Sequence, residues 1–235
     1  MNKNNIITVL GFIVMCGLLV GGLSVWLGGD TTDKDEEAIS NTNEEFIAPL
    51  SADELAAYQV IMTNDKNPVA EVVTNEGTFK LELFEDTMPI TAGNFIKLAE
   101  EGFYNGVQFH RVIPGFMIQG GDPITKTKEY LRYGTGGPDY AIPDEHIVGE
   151  YLTNVRGTIA MANSGPNTGG SQFFINVADN TNLDFDKQPL SSQHPVFGRI
   201  VDGMDIIDAI SLAPTNERDL PLEPIVIESI TITRS

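Results

Sequence analysis

The chain has 235 residues, 41% of them apolar, enough for one well-packed domain plus accessory segments. Its 33 acidic residues against 14 basic ones give a net charge of -19, and since binding phosphates needs a basic face, nucleic acid is excluded as a partner. A single cysteine, Cys16, excludes an intrachain disulfide and a cysteine metal cluster, and the three histidines (His110, His146 and His194) share no short ligand spacing, so no metal is expected.

The first element in chain order is an apolar run. No charged side chain lies between Lys3 and Asp30, and the 22 residues from Ile6 to Leu27 are almost wholly apolar. As a helix rising ~1.5 Å per residue they reach ~33 Å, and a hydrocarbon core is ~30 Å thick. The run exceeds the ~7–15 apolar residues of a cleaved signal peptide. Trp26 stands where an interfacial aromatic would. A lipid-modified Cys16 is the third reading, disfavoured by the bulk of Met15. Residues 1–29 are therefore expected to be an uncleaved transmembrane anchor. Lys3 keeps the amino end inside, so the protein is expected in the cell membrane, single-pass, with its bulk outside the cytoplasm.

Residues 30–67 are acidic and polar, with too little apolar surface to fold alone, and are expected to form an extended tether. Ser51 with Glu54 three residues on could cap a short helix there.

The texture then changes to short strands and turns, marking a domain over residues 68–235. Val72–Thr74 and Thr78–Leu83 flank Asn75-Glu76-Gly77, a hairpin turn. Next a helix is predicted, with Thr87 as cap, Pro89 in its first turn, Gly102 as stop and a stripe of Ala92, Phe95, Ile96 and Ala99. A second short helix is predicted over Met204–Ile210. Strands are predicted at Gln108–Arg111, Phe116–Gln119, Thr158–Ala162, Phe173–Val177, Pro195–Ile200 and Ile225–Thr233. Many short strands with two helices indicate a mainly β fold, an antiparallel barrel with helices over its ends.

Two stretches carry more. Phe109-His110-Arg111-Val112-Ile113-Pro114-Gly115-Phe116-Met117-Ile118-Gln119-Gly120-Gly121-Asp122 resembles the cyclophilin signature, and Met161-Ala162-Asn163-Ser164-Gly165-Pro166-Asn167-Thr168-Gly169-Gly170-Ser171-Gln172-Phe173-Phe174 resembles that family's second active-site stretch. The resemblance spans about Val69 to Arg234. It implies a closed eight-stranded antiparallel barrel capped by two helices, and peptidyl-prolyl cis–trans isomerase (rotamase) activity on proline-containing polypeptides without nucleophile, cofactor or metal. It implies catalytic roles for Arg111 and Gln119. Substrate-binding roles fall to Phe116, Met117, Ala162, Asn163, Ser164, Gln172, Phe174, Leu183 and His194.

These residues suit the chemistry. Rotation about a peptide bond must cross ~18–20 kcal/mol of lost resonance, and the twisted proline nitrogen regains a lone pair. A fixed donor aimed at that lone pair binds the transition state and not the planar ground state. Arg111, always charged and rigidly forked, is such a donor. Its hydrogen bond is worth ~1.5–3 kcal/mol, so a dry pocket that holds the peptide must supply the rest. Outside this context Arg111 would be a surface ion-pair residue and Phe116, Met117 and Phe174 core residues. His110 is read as structural and His146 as a loop residue. Gly134-Thr135-Gly136-Gly137 lacks the following Gly-Lys-Ser/Thr of a phosphate cradle and reads as turns.

Two departures from the family are visible. Asn182 replaces the pocket-edge tryptophan, which implies weak cyclosporin binding. The loop Ile124–Tyr133 is longer than usual and carries Lys126, Lys128 and Arg132, a cluster able to steer acidic peptides. The competing reading of the whole is a peptide-binding chaperone or tethering module that keeps the groove but catalyses little.

Overall fold

The computed structural model describes residues 67–146, 152–187 and 193–234. The expected anchor (1–29), nearly all of the tether (30–67), the Ser51 helix and Cys16 lie outside the described residues. Among the described residues no helix is long and apolar enough to cross a membrane.

Eight strands form one antiparallel sheet: β1 (Val69–Thr74), β2 (Gly77–Leu83), β3 (Arg111–Ile113), β4 (Met117–Gly120), β5 (Thr158–Met161), β6 (Phe173–Asn176), β7 (Val196–Asp202) and β8 (Ile227–Thr233), in the lateral order β3-β4-β6-β5-β7-β2-β1-β8. The expected closed barrel is corrected here, because the edge strands β3 and β8 do not pair and the sheet is an open half-barrel. The reason is local. β3 has only three residues before Pro114, and the segment that would complete the seam carries Pro221 and Pro224, which have no N–H to donate. Scattered bonds span the gap instead: Phe109 N–H to Ile225 O (2.9 Å), Val112 N–H to Asp219 O (2.8 Å) and a bridge between Gln108 and Val226. This also explains why the strand predicted at Gln108–Arg111 begins at Arg111. Residues 106–109 are tied to the 225–227 segment, and the regular ladder starts where Arg111 meets Gln119.

Helix α1 (Pro89–Glu100) buries the predicted stripe of Ala92, Phe95, Ile96 and Ala99. Phe95 lies at the centre of the core, its ring 5.1 Å from Tyr104, 5.4 Å from Phe197 and 5.5 Å from Phe173. A ring so placed is typically worth ~3–5 kcal/mol on truncation. Gly102 ends the helix at φ +69°, with its N–H on Ala99 O and that of Phe103 on Leu98 O. The predicted cap, Thr87, does not cap. The N-cap is Met88 without a side-chain bond, and Glu145 accepts from Ile90 N–H (3.1 Å) and Thr91 N–H (2.9 Å) instead. A carboxylate satisfies two orphan donors and the positive end of the helix at once, which a hydroxyl cannot. Helix α2 (Met204–Ser211) packs on β2, β3 and β4.

The strand period of two sorts the faces. Val112, Ile118, Phe173 and Ile175 are fully or almost fully buried, facing the core. Arg111, Met117, Gln119 and Phe174 share the opposite face.

Candidate active site

Register places the site. On β3, β4 and β6 the cross-strand partners are Arg111 with Gln119 and Gln119 with Phe174, so three adjacent strands present these side chains in one lateral row. Met117, two residues before Gln119, shares their face. Together with Phe116, Ala162, Asn163, Ser164, Gln172, Leu183 and His194 they line one cavity of about 680 Å³, so all eleven residues singled out in the sequence come together. That is within the size range of ordinary ligand pockets.

One side of the cavity is apolar, from Phe116, Met117, Phe174 and Leu183. The His194 ring meets Phe174 edge-on, 5.3 Å between centroids. Its Nδ1 lies 3.0 Å from Met161 O. A carbonyl can only accept, so Nδ1 carries the hydrogen and the neutral ring keeps Nε2 as an acceptor. Burial holds the His194 pKa below the ordinary histidine value, with the bond to Met161 partly opposing. The wall is braced from behind by Asp184, which accepts from Thr153 Oγ1 (2.6 Å), Asn154 N–H (2.8 Å) and Asn154 Nδ2 (2.9 Å). Asn154 Nδ2 also donates to His194 O at 3.1 Å, and His194 N–H to Leu183 O at 3.0 Å. Desolvation raises the Asp184 pKa against those three bonds.

The other side is polar and ordered. Gln119 Nε2 donates to Gln172 Oε1 (3.0 Å), and Gln172 Nε2 donates to Gly136 O (2.7 Å). Fully buried Asp122 anchors the loop behind Gly136, accepting from Ile124 N–H (2.7 Å), Gly134 N–H (2.6 Å) and Gly136 N–H (3.2 Å). A Cβ on Gly136 would come within 2.1 Å of Asp122 Oδ1, so only glycine fits. Asn163 Nδ2 donates to Gln193 O (2.7 Å), and among the described residues the Asn163 backbone N–H and carbonyl have no partner. Arg111 is exposed at the rim, its Nε 3.7 Å from Asp219 Oδ2.

Gln119, paired in register with Arg111, is bonded to Gln172, and the charged neighbour of the Arg111 guanidinium is Asp219. Sequence reading missed Asp219, Asp122 and Asp184, as well as Tyr140 and Thr168 on the cavity wall. Asp122 closes the first signature stretch and could have been weighed. Asp219 and Asp184 lie in unpatterned loops and carry no local signal. Asn182 is exposed and not part of the cavity wall. His110 is buried, in keeping with a structural residue, and desolvation lowers its pKa. His146 stacks on Phe185, 4.8 Å between ring centroids. Among the described residues, no cluster of His, Cys, Asp or Glu suited to a metal is found.

The comparisons agree with this geometry. The family model for cyclophilin type peptidyl-prolyl cis-trans isomerase/CLD matches residues 69–232. A Streptococcus pyogenes protein whose name joins a phosphatase to a peptidyl-prolyl cis-trans isomerase is 36% identical over 229 residues, covering 86% of this chain, and the chain spans only 46% of that relative's length. The peptidyl-prolyl cis-trans isomerase of Acinetobacter baylyi is 40% identical over 171 residues, covering 71% of this chain and 86% of its own. A crystal structure of a Cryptosporidium parvum cyclophilin type isomerase, in the presence of the dipeptide Ala-Pro, superposes with a TM-score of 0.61 at 31% identity, covering 71% of this chain and 99% of its own. The open half-barrel, the half-apolar cavity beside Arg111 and these matches lead to one assignment: the chain belongs to the cyclophilin-type peptidyl-prolyl cis–trans isomerases.

Proposed function

We propose that this protein is held at a membrane by its amino-terminal segment and accelerates rotation of X-Pro bonds in exported polypeptides, assisting their folding outside the cytoplasm. The observation that carries the chemistry is the position of Arg111, an exposed fixed cation at the rim of a cavity with one apolar and one polar side. The proline ring seats among Phe116, Met117, Phe174 and Leu183, with Ala162, Ser164 and His194 at the edges. The Asn163 backbone, without a partner among the described residues, pairs with the extended chain. Gln119 and Gln172 hold the polar side in place, and as the bond twists Arg111 donates to the proline nitrogen. Removal of water from the ring favours the less polar twisted amide.

The cellular part of the proposal is supported by the uncharged Ile6–Leu27 run and the acidic stretch behind it. Protease added to wall-stripped cells should digest the isomerase domain, and mass analysis should find the amino terminus retained. A mature chain starting after Gly22, or at a lipidated Cys16, overturns the uncleaved anchor. A domain shielded from protease overturns the orientation.

A further inference from the structure

A second cavity of about 450 Å³ lies directly beside the first, and Arg111, Gln119 and Gly134 line both. One wall is the extended loop, through Tyr130, Leu131 and Tyr133; the other is the 216–220 turn, through Asn216, Arg218 and Leu220. We propose that this cavity is a specificity subsite that takes an aromatic or large apolar side chain of the substrate, on the flank of the proline that runs past Arg111. The proposal rests on the isomerase reading, because the shared residues make the two cavities one continuous track for a single peptide.

Three observations select this occupant. Leu131 is 82% exposed and Tyr130 53% exposed, large side chains held in water at the mouth of a mainly apolar hollow. The Tyr130 and Tyr133 rings lie 5.3 Å apart at 59°, offering a face and an edge to a third ring. Across from them, Arg218 is exposed and forms no ion pair among the described residues, and a planar guanidinium stacks on aromatic faces.

Both walls are built rather than loose. Tyr133 Oη donates to Thr127 O (2.6 Å), the Arg132 guanidinium pairs with Glu129 (2.6 Å), and Asp122 fixes both ends of the loop. Opposite, Asn216 Oδ1 accepts from Arg218 N–H (2.8 Å), and Asn216 N–H donates to Leu220 O (2.9 Å). The same geometry speaks against steering of acidic peptides by this loop. Lys126 donates to Phe103 O (2.8 Å), Arg132 is taken by Glu129, and neither these nor Lys128 line the cavity. Arg218 is itself flanked by Glu217 and Asp219.

The test uses the full chain and short peptides in which Phe, Ala or Asp is placed in turn at each of the two positions before and after proline. The subsite predicts kcat/KM about tenfold higher for Phe than for Ala at a position on one flank, with no gain for Asp. Tyr130→Ser with Leu131→Ser should bring that ratio close to one, and Arg218→Ala, on the opposite wall, should also lower it. The Kd of the Phe peptide, read by titration, should rise by a similar factor in the double variant. Equal rates for Phe and Ala at every position, a preference for Asp, or a Phe preference retained in the double variant would overturn the proposal. If no peptide is accelerated, the isomerase reading fails instead, and the Kd comparison still decides whether the subsite exists.

Discussion

Arg111 Nε lies 3.7 Å from Asp219 Oδ2, with both side chains 45% exposed. The distance is too long for a hydrogen bond, so Asp219 orients the guanidinium by charge without occupying its N–H groups. Asp219 is itself fixed through its carbonyl, which accepts from Val112 N–H on the same strand as Arg111. A pair this exposed contributes at most ~1 kcal/mol to folding. Asp219→Asn should therefore leave denaturant unfolding nearly unchanged while kcat falls severalfold and KM hardly moves. Loss of stability without loss of kcat would show the pair to be structural only.

Gln172 joins the active face to the loop by accepting from Gln119 and donating to Gly136 O. Each such neutral bond is worth ~1 kcal/mol net. Gln172→Ala should lower kcat/KM roughly tenfold. Gln172→Glu keeps the acceptor for Gln119 and loses the donor to Gly136 O, so it should retain more activity than alanine. Equal activity of both variants would show that the contact to Gln119 is not the one that matters.

Asn182 is exposed beside Leu183, where an indole could cover the cavity edge. Wild-type protein is expected to bind cyclosporin weakly, and Asn182→Trp should tighten binding by ~10-fold or more, since a buried tryptophan contact is commonly worth more than ~1.4 kcal/mol. Calorimetric titration of both proteins checks this. Nanomolar binding by the wild type would contradict it.

Burial lowers the pKa values of His110, His146 and His194 in the fold. In the unfolded chain each titrates near ~6.5, so below that pH the unfolded state takes up protons the fold resists. Stability is fully present above ~6.5 and is lost as pH falls toward the depressed folded values. Asp184, whose pKa is raised, acts in the opposite sense, its contribution falling as pH rises above the ordinary carboxylate range. Thermal unfolding should show a lower Tm at about pH 5.5 than at about pH 7.5. In His194→Gln, which keeps a donor for Met161 O, that difference should shrink. An unchanged difference would remove His194 from the account.

The strand and helix assignments were legible where one face is buried. Phe79, Leu81 and Leu83 alternate, the Ala92–Ala99 stripe follows the helical period, and both survive to within a residue or two in the structure. The cavity residues were legible because two ordered stretches hold nine of the eleven, and only His194 and Leu183, which the resemblance supplied, stand apart. Closure of the sheet was not legible. It depends on which N–H groups meet across the seam, and Pro221 and Pro224 remove donors there in a way no periodicity displays. Long-range charges were equally hidden. Glu145 caps α1 and Asp219 faces Arg111 because the loops bring them back, and neither has a pattern in its own neighbourhood.

Arg111 acts on the twisted bond and not on the bound peptide. Rotation of a short X-Pro peptide, which takes tens to hundreds of seconds unaided, is followed with wild-type protein and with Arg111→Ala. Peptide affinity is titrated in parallel. Clear acceleration by the wild type is expected without added metal or cofactor. Arg111→Ala should fold normally, lose ~10–150-fold in kcat/KM and lose much less in affinity. Full activity of Arg111→Ala, or a wild type that binds proline peptides without accelerating their rotation, would contradict this role.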